Sequence, residues 1–140
     1  MKALSFQIEN LARRYGLEIV YAFGSRAKEI QRLVQGKRRA LSRTKADLDI
    51  GVKPKRKLTL KEKAEIAIFF EDLFGALRED VVCLPDAPIP LAFAIETGEL
   101  LHAEDKREEA EYRLLIMRMM ADLQPHLAMK RKMALKRGAL

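Results

Sequence analysis

Hydrophobic and polar positions follow helical and strand-like spacings in turn along the chain. Five segments have the spacing or composition of helices: residues 5–15, 26–35, 59–75, 91–98 and 105–122. Three segments predict strands, at residues 17–23, 46–52 and 80–84, and residues 99–102 predict a short edge strand. This order predicts an α+β fold, an α/β sandwich in which a small mixed sheet of three or four strands carries helices mainly on one face.

Local signals mark the ends of several elements. Ser5 and Thr59 each precede a helical segment and are candidate N-caps, and Glu62 completes a capping box with Thr59. The strand at 17–23 is apolar at nearly every position rather than at alternate ones. We therefore expect this strand to lie in the centre of the sheet.

The final helix sets the predicted domain boundary. Pro125 is expected to end it, because proline lacks a backbone N–H and clashes with the preceding turn. The chain then divides into a domain at residues 1–122 and a basic tail at residues 123–140. Met117 and Met119 lie on this helix, where methionine either packs against other elements or forms an adaptable partner surface.

Composition narrows the class of protein. The chain has 140 residues, of which 49% are hydrophobic and 34% charged, as expected of a single folded domain. The single cysteine, Cys83, excludes an internal disulfide and favours a reducing compartment, and the two histidines give no zinc-ligand spacing. Residues 1–16 carry Glu9, Arg13 and Arg14 and are not expected to be a signal peptide, and no apolar run reaches the roughly 20 residues that span a bilayer. We expect a cytoplasmic protein that does not bind membranes.

The charge of the chain favours an anionic partner. Lys and Arg number 27 against 20 Asp and Glu, a formal net charge of +7, which suits a nucleotide, a nucleic acid or an acidic protein. Basic residues concentrate in a predicted loop at 36–45 and again at 53–57, and we expect both runs near the end of the sheet where the candidate site residues lie. Such runs are also common on solvated faces. Aromatic residues make up only 6%, which argues against a protein that stacks single-stranded bases.

Three aspartates form the first candidate site. Asp47 and Asp49 lie two residues apart on a predicted strand, so their side chains point to the same side. Neighbouring carboxylates repel each other unless a cation lies between them, and Mg²⁺ prefers oxygen ligands. The same alternation also fits a strand with one solvent-exposed face. Asp80 begins the next strand, and three carboxylates would meet if the two strands were neighbours. Two metal ions about 3.5–4 Å apart can then catalyse phosphoryl or nucleotidyl transfer.

The second candidate site is the turn at Gly24 and Ser25. It follows an apolar strand directly and precedes a helix. Unpaired N–H groups and the dipole at a helix start favour an anion, and glycine lets that anion approach the backbone. A Gly-Ser turn is also a common structural turn, so this signal points to phosphate binding only in combination with the aspartates.

In combination these features resemble the minimal nucleotidyltransferases of the polymerase-beta-like superfamily. The resemblance is carried by GSRA at 24–27, DLDIGV at 47–52, DVVCL at 80–84 and PDAPIPLAFAIETGELLHAED at 85–105. It covers about residues 1–120 and implies a nucleotidyltransferase-like fold.

The resemblance also implies roles for individual residues. The catalytic carboxylates, which would also bind Mg²⁺, would be Asp47, Asp49 and Asp80. The site would hold two Mg²⁺ ions. Asp80 would also act as the base for the incoming hydroxyl. Gly24 and Ser25 would hold the β- and γ-phosphates of ATP, and Arg26 would either contact phosphate or form an ion pair.

The implied activity is transfer of AMP from ATP to a protein hydroxyl, a tyrosine of a HEPN-type ribonuclease toxin, so that the chain acts as the antitoxin. Family members usually have a shorter link between the two motifs, and we expect the basic loop at 36–45 to influence the acceptor. Two other readings stay open at this point. One is a catalytically inactive relative that neutralises a toxin by binding, and the other is a basic nucleic-acid-binding domain.

Overall fold

The structure is a computed structural model that describes residues 2–38, 47–75 and 79–137. These residues form five α-helices, four strands and one 3₁₀ turn. In chain order they are α1 (Lys2–Tyr15), β1 (Leu17–Phe23), α2 (Ala27–Val34), β2 (Leu48–Pro54), α3 (Leu60–Phe74), β3 (Glu79–Cys83), the 3₁₀ turn (Leu84–Asp86), α4 (Ile89–Glu96), β4 (Glu99–Ala103) and α5 (Lys106–Lys136).

The four strands form one mixed sheet in the spatial order β3-β2-β1-β4. β1 pairs antiparallel with both β2 and β4, whereas β2 pairs parallel with β3. The predicted α+β fold is confirmed. So are the central place of β1 and the edge place of β4.

Side chains of β1 are buried on both faces of the sheet. Val20 and Ala22 pack into a core with α1, α2 and α3, whereas Ile19 and Tyr21 pack into a second core with α4 and α5. Three helices therefore lie on one face, and the remaining two cover the other. A strand that is apolar at nearly every position needs cover on both sides, which is why the second helical layer exists.

The helix ends follow local chemistry in α3 but not in α1. The Thr59 hydroxyl accepts from the Glu62 backbone N–H at 3.1 Å, and the Glu62 carboxylate accepts from the Thr59 N–H at 2.9 Å, so the capping box is confirmed. The prediction that Ser5 caps α1 is wrong, because α1 begins at Lys2. Leu4 packs against the core one turn before Ile8 and extends the apolar face of α1 towards its start.

α5 does not end at Pro125. It continues to Lys136 as one helix of 31 residues, and Pro125 lies inside it with its side chain exposed. A proline inside a helix removes one hydrogen bond and costs about 3 kcal/mol. Residues that favour helices flank Pro125 on both sides and favour continuation of α5 through it. They lie in the segments LQ before Pro125 and HLAMKRKMALKR after it.

Two other predicted segments differ in extent. β2 begins at Leu48, so Asp47 lies immediately before the strand. Of the predicted basic loop at 36–45, only residues up to Arg38 are described, and the remainder lies outside the described residues. Cys83 is buried at the end of β3, as predicted, and burial raises the pKa of its thiol. No helix in the described part of the chain is long and apolar enough to cross a membrane.

Candidate active site

The predicted site residues gather at one edge of the sheet. Because β1 and β2 are antiparallel, the last residue of β1, Phe23, pairs with Asp49 near the start of β2. Because β2 and β3 are parallel, Asp49 in turn pairs with Asp80 near the start of β3. The topology therefore places the turn after β1 next to two acidic strand starts.

Gly24 packs directly against the side chain of Asp49. Its backbone has a φ of +79°, a conformation that side chains other than hydrogen disfavour. A Cβ atom at this position would lie 2.5 Å from Oδ2 of Asp49. Position 24 therefore requires glycine twice over, once for the turn and once for the carboxylate packed against it.

The three carboxylates act on one another electrostatically. The pKa of Asp49 is raised, first by burial and then by the negative charges of Asp80 and Asp47. Asp80 is exposed, and Asp47 is half-buried just before β2. Among the described residues no ion pair of Asp49 or Asp80 compensates this negative charge, and a bound cation would relieve it.

This donor set fits Mg²⁺ in part. Within residues 2–38, 47–75 and 79–137, no three Asp, Glu, His or Cys side chains already lie close enough together to form a complete metal site. Mg²⁺ is commonly held by one or two carboxylates, with substrate phosphates and waters completing its octahedron. Asp49 and Asp80 supply such a pair, and the charge of Asp47 acts on it from nearby.

The turn after β1 leads straight into α2. Gly24 and Ser25 are exposed, and the Gly24 carbonyl accepts from the Ala27 N–H at 3.3 Å to start the helix. Arg26 is buried, and its guanidinium lies 3.4 Å from Glu29, which also pairs with Arg38 at 3.4 Å. Of the two alternatives for Arg26, the structure shows the ion pair.

A cavity of about 360 Å³ adjoins this turn. It lies between the start of α2 and the end of α4, and its size is within the range of small-molecule sites. Its polar and turn-forming lining comprises Gly24, Ser25, Lys28, Thr97, Gly98 and Glu99. Lys28 provides a cation there, beside exposed backbone at the start of a helix, which suits an anionic ligand.

Two larger cavities among the described residues lack the predicted site residues. Cavities of about 430 and 490 Å³ lie elsewhere, the first lined by residues such as Gly16 and His102, the second by residues of α1 and α3. Both are larger, but neither is lined by any of the predicted site residues. The basic run at 53–57 does not lie at the active-site edge as expected, because Pro54 at the far end of β2 pairs with Leu17 at the start of β1.

Sequence reasoning missed one acidic residue beside the site. Glu79 precedes Asp80 and is buried, and neither of its carboxylate oxygens has a hydrogen-bond partner among the described residues. Burial, followed by the charges of Glu71, Asp80 and Asp49, raises the pKa of Glu79 to about 9. It is therefore protonated at neutral pH and adds no charge to the site. No sequence signal identifies it, because its partners come from other elements.

A buried polar network behind the site was missed as well. The Tyr21 hydroxyl donates to Glu109 at 2.5 Å, and Arg113 donates to the same carboxylate at 3.0 Å. Arg113 also lies 3.7 Å from the fully buried Glu96. These contacts join β1 to α4 and α5, which lie far from it in sequence. They fix α5 to the strand that leads into the turn at Gly24.

This mixed four-stranded sheet with five helices is the fold of a nucleotidyltransferase. The chain belongs to the polymerase beta nucleotidyltransferase family, whose model matches residues 7–107. No curated protein is similar enough in sequence to count as a match.

Solved toxin–antitoxin structures share the fold over almost the whole chain. A mutant of the MntA–HpeT toxin–antitoxin superposes with a TM-score of 0.68 at 18% identity, covering 97% of this chain and 98% of the other. A toxin–antitoxin structure with AMP-PNP gives a TM-score of 0.64 at 19% identity, with 97% and 98% covered. A tri-AMPylated Shewanella oneidensis HEPN toxin in complex with its MNT antitoxin gives 0.64 at 18% identity, with 99% and 98% covered.

Proposed function

We propose that this protein is the antitoxin of a toxin–antitoxin pair and transfers AMP from ATP to a tyrosine hydroxyl of a HEPN-type ribonuclease toxin, with Mg²⁺ as cofactor. The family establishes nucleotidyl transfer as the class of reaction. The fold is shared with a structure of a tri-AMPylated HEPN toxin in complex with an MNT antitoxin and with a toxin–antitoxin structure that contains AMP-PNP. These similarities support ATP as the donor and a protein as the acceptor.

The observation that carries this proposal is the in-register pairing of Asp49 with Asp80 beside Gly24. A structural strand pair gains nothing from two facing carboxylates, since like charges directly opposite one another destabilise a sheet. A site for a cation and a polyphosphate gains both ligands and charge balance. The pair is therefore best explained by catalysis rather than by folding.

Each site residue then has a role. Asp47, Asp49 and Asp80 would hold Mg²⁺, which when bound neutralises phosphate charge and favours departure of the leaving group. The exposed backbone at Gly24 and Ser25 would hold the β- and γ-phosphates, and Lys28 adds positive charge to the adjoining cavity. Arg26, paired with Glu29, would position the start of α2 rather than contact phosphate with a free side chain.

The transfer step balances without a further reactant. The tyrosine oxygen forms a bond to the α-phosphorus, and the bond from that phosphorus to the bridging oxygen breaks to release pyrophosphate. Asp80 is exposed at the start of β3 and accepts the hydroxyl proton.

We place the reaction in the cytoplasm, where the single, buried Cys83 stays reduced.

The experiment combines the purified chain with the HEPN-domain protein of its neighbouring gene, Mg²⁺ and ATP labelled at the α-phosphate. We expect label on a tyrosine of the toxin and loss of its ribonuclease activity. Asp49→Asn should abolish labelling, whereas the matched variant Asp86→Asn should not, because Asp86 lies beyond the opposite end of β3.

Each alternative predicts a different result. Inhibition of the ribonuclease without labelling would identify a binding antitoxin that lacks catalysis. Binding of RNA without either effect would identify a nucleic-acid-binding domain. Labelling by Asp49→Asn at the wild-type rate would remove the aspartates from the mechanism.

A further inference from the structure

We propose that the distal segment of α5, residues 117–137, is the docking surface for the protein substrate and takes an apolar helix of that protein flanked by acidic residues. The inference rests on the proposed function, because it assumes a protein acceptor. It adds a surface that lies outside the residues that perform the chemistry.

The length of α5 is the first observation. At 1.5 Å per residue a helix of 31 residues is about 46 Å long, whereas α4, the helix it packs against, has 8 residues and is about 12 Å long. α4 can therefore cover only a fraction of α5. Glu109 and Ile116 are the buried residues of α5, and no residue from Met117 to Arg137 is buried.

The distal segment nevertheless keeps the pattern of a packing helix. An apolar row continues from Ile116 at alternating intervals of four and three residues through Met120, Leu123 and Leu127, and Ala134 lies seven residues further on. Spacing of this kind is the seam by which one helix packs along another. Exposed methionines flank the row on either side, with Met117 and Met119 45% and 40% exposed, and adapt readily to a partner surface.

Charge identifies the chemistry of the partner. Between residues 124 and 137 there are five basic residues and no acidic ones: Lys130, Arg131, Lys132, Lys136 and Arg137. A second copy of this chain packed in parallel along the seam would bring these cations against one another, which disfavours that mode of self-association. A partner helix with acidic residues beside its apolar seam would instead complement both features.

The arrangement of the charges disfavours a membrane or an RNA as the occupant. At 100° per residue, Lys130, Arg131 and Lys132 point in three well-separated directions around the helix, whereas a membrane-surface helix needs a wide uncharged face. No Phe, Tyr or Trp follows Tyr112, so the distal segment has no aromatic ring on which bases could stack.

The buried network gives this surface a fixed relation to the site. Glu109 and Arg113 tie the first turns of α5 to Tyr21 on β1, three residues before the turn at Gly24. A protein docked on the distal segment is therefore held at a constant position relative to the aspartates. Such positioning raises the effective concentration of one acceptor hydroxyl.

The test measures the affinity of the HEPN-domain protein for four forms of the full-length chain. They are the wild type, the seam variant L123A/L127A, the charge variant K130E/K132E and a control, K57E/K61E, with the same charge change outside α5. We expect each α5 variant to raise Kd at least about tenfold and the control to change it less than about twofold. The charge variant should also show a weaker dependence of Kd on salt. AMP transfer at saturating toxin should be retained, since no site residue is altered.

Several results would overturn the inference. The inference fails if both α5 variants bind the toxin with wild-type affinity, or if the control variant loses as much affinity as they do. It also fails if the wild type does not bind the toxin. Loss of binding to anionic vesicles, RNA or a second copy of the chain, with toxin binding intact, would assign the distal segment to that other occupant. If toxin binding depends on the distal segment but no AMP is transferred by the wild type, the docking surface stands and the proposed reaction fails. Circular dichroism of each variant confirms that α5 is still formed.

Discussion

Asp49 and Asp80 face each other directly across the parallel pairing of β2 and β3. Burial and two neighbouring negative charges raise the pKa of Asp49, so the folded protein holds this carboxylate in an unfavourable environment. Residues that destabilise the fold at the position where they would act are typical of functional sites. The facing carboxylates therefore lower the stability of the fold, and we expect catalysis to require them.

We expect Asp49→Asn and Asp80→Asn to abolish AMP transfer without loss of stability. Removing one charge relieves the repulsion, so the free energy of unfolding should stay within about 0.5 kcal/mol of wild type or rise. Loss of a metal ligand should lower kcat/KM at least about 100-fold, since changes to residues behind the ligands already cost 10–100-fold. Urea unfolding and a labelled-ATP assay measure the two effects. A variant that unfolds would show that the pair is structural.

A substitution at Gly24 separates backbone strain from displacement of the carboxylate. Gly24→Ala places a methyl group against the Asp49 carboxylate, whereas Gly75→Ala, at a φ of +67°, meets no atom of a non-adjacent described residue within 4 Å. Both should lose about 1–2 kcal/mol of stability, because alanine disfavours positive φ. Only Gly24→Ala should also lose AMP transfer. Equal transfer rates in the two stable variants would show that the contact with Asp49 is not needed for activity.

Signals local in sequence predicted a large part of this fold. The Thr59–Glu62 capping box depends on residues three apart, and the apolar run at 17–23 correctly indicated a central strand. From the sequence, Asp49 and Asp80 were predicted to meet only if their two strands were neighbours in the sheet. Strand order depends on pairings between distant segments, and here the structure supplies it.

Contacts between residues distant in sequence could not be predicted from the sequence. Tyr21 and Glu109 are 88 residues apart, so nothing in either local sequence marks them as a buried hydrogen-bonded pair. The helix-breaking tendency of Pro125 wrongly predicted an end to α5, because the flanking helix formers outweigh one lost hydrogen bond. The hydrogen-bonded pair was missed because its two partners are distant in sequence. The end of α5 was wrongly predicted because a single helix-breaking residue was weighed without the helix formers around it.

Tyr21→Phe should destabilise the protein without altering any site residue. Burial and the hydrogen bond to Glu109 raise the pKa of Tyr21 well above its usual value, so the hydroxyl remains a donor at every accessible pH. Its loss should cost about 1.5–3 kcal/mol, the range for a hydrogen bond to a charged group. Tyr112→Phe is the matched control, since the structure gives the Tyr112 hydroxyl no hydrogen bond among the described residues. Equal unfolding free energies in the two variants would contradict the assigned network.

The pH dependence of stability should contain a contribution from Glu62 at the start of α3. Hydrogen bonds from Arg56, at 3.0 and 2.5 Å, and from the Thr59 N–H lower the pKa of Glu62 from 4.5 to about 2. A carboxylate whose pKa is lower in the folded than in the unfolded protein adds stability above the unfolded pKa. That stability is lost as the pH falls through the folded pKa. The Glu62 contribution should therefore be complete at pH 7 and decline between about pH 4.5 and pH 2.

Glu62→Gln tests this dependence because glutamine keeps the shape of the side chain but not its charge. We expect the wild type to be more stable than the variant at pH 7 and the difference to shrink towards pH 2. Arg56→Ala should reproduce the smaller pH dependence, and combining the two changes should add little to either one, because both remove the same ion pair. Urea unfolding at pH 7, 4 and 3 gives the free energies. A difference between wild type and Glu62→Gln that stays constant over this range would show that the lowered pKa does not stabilise the fold.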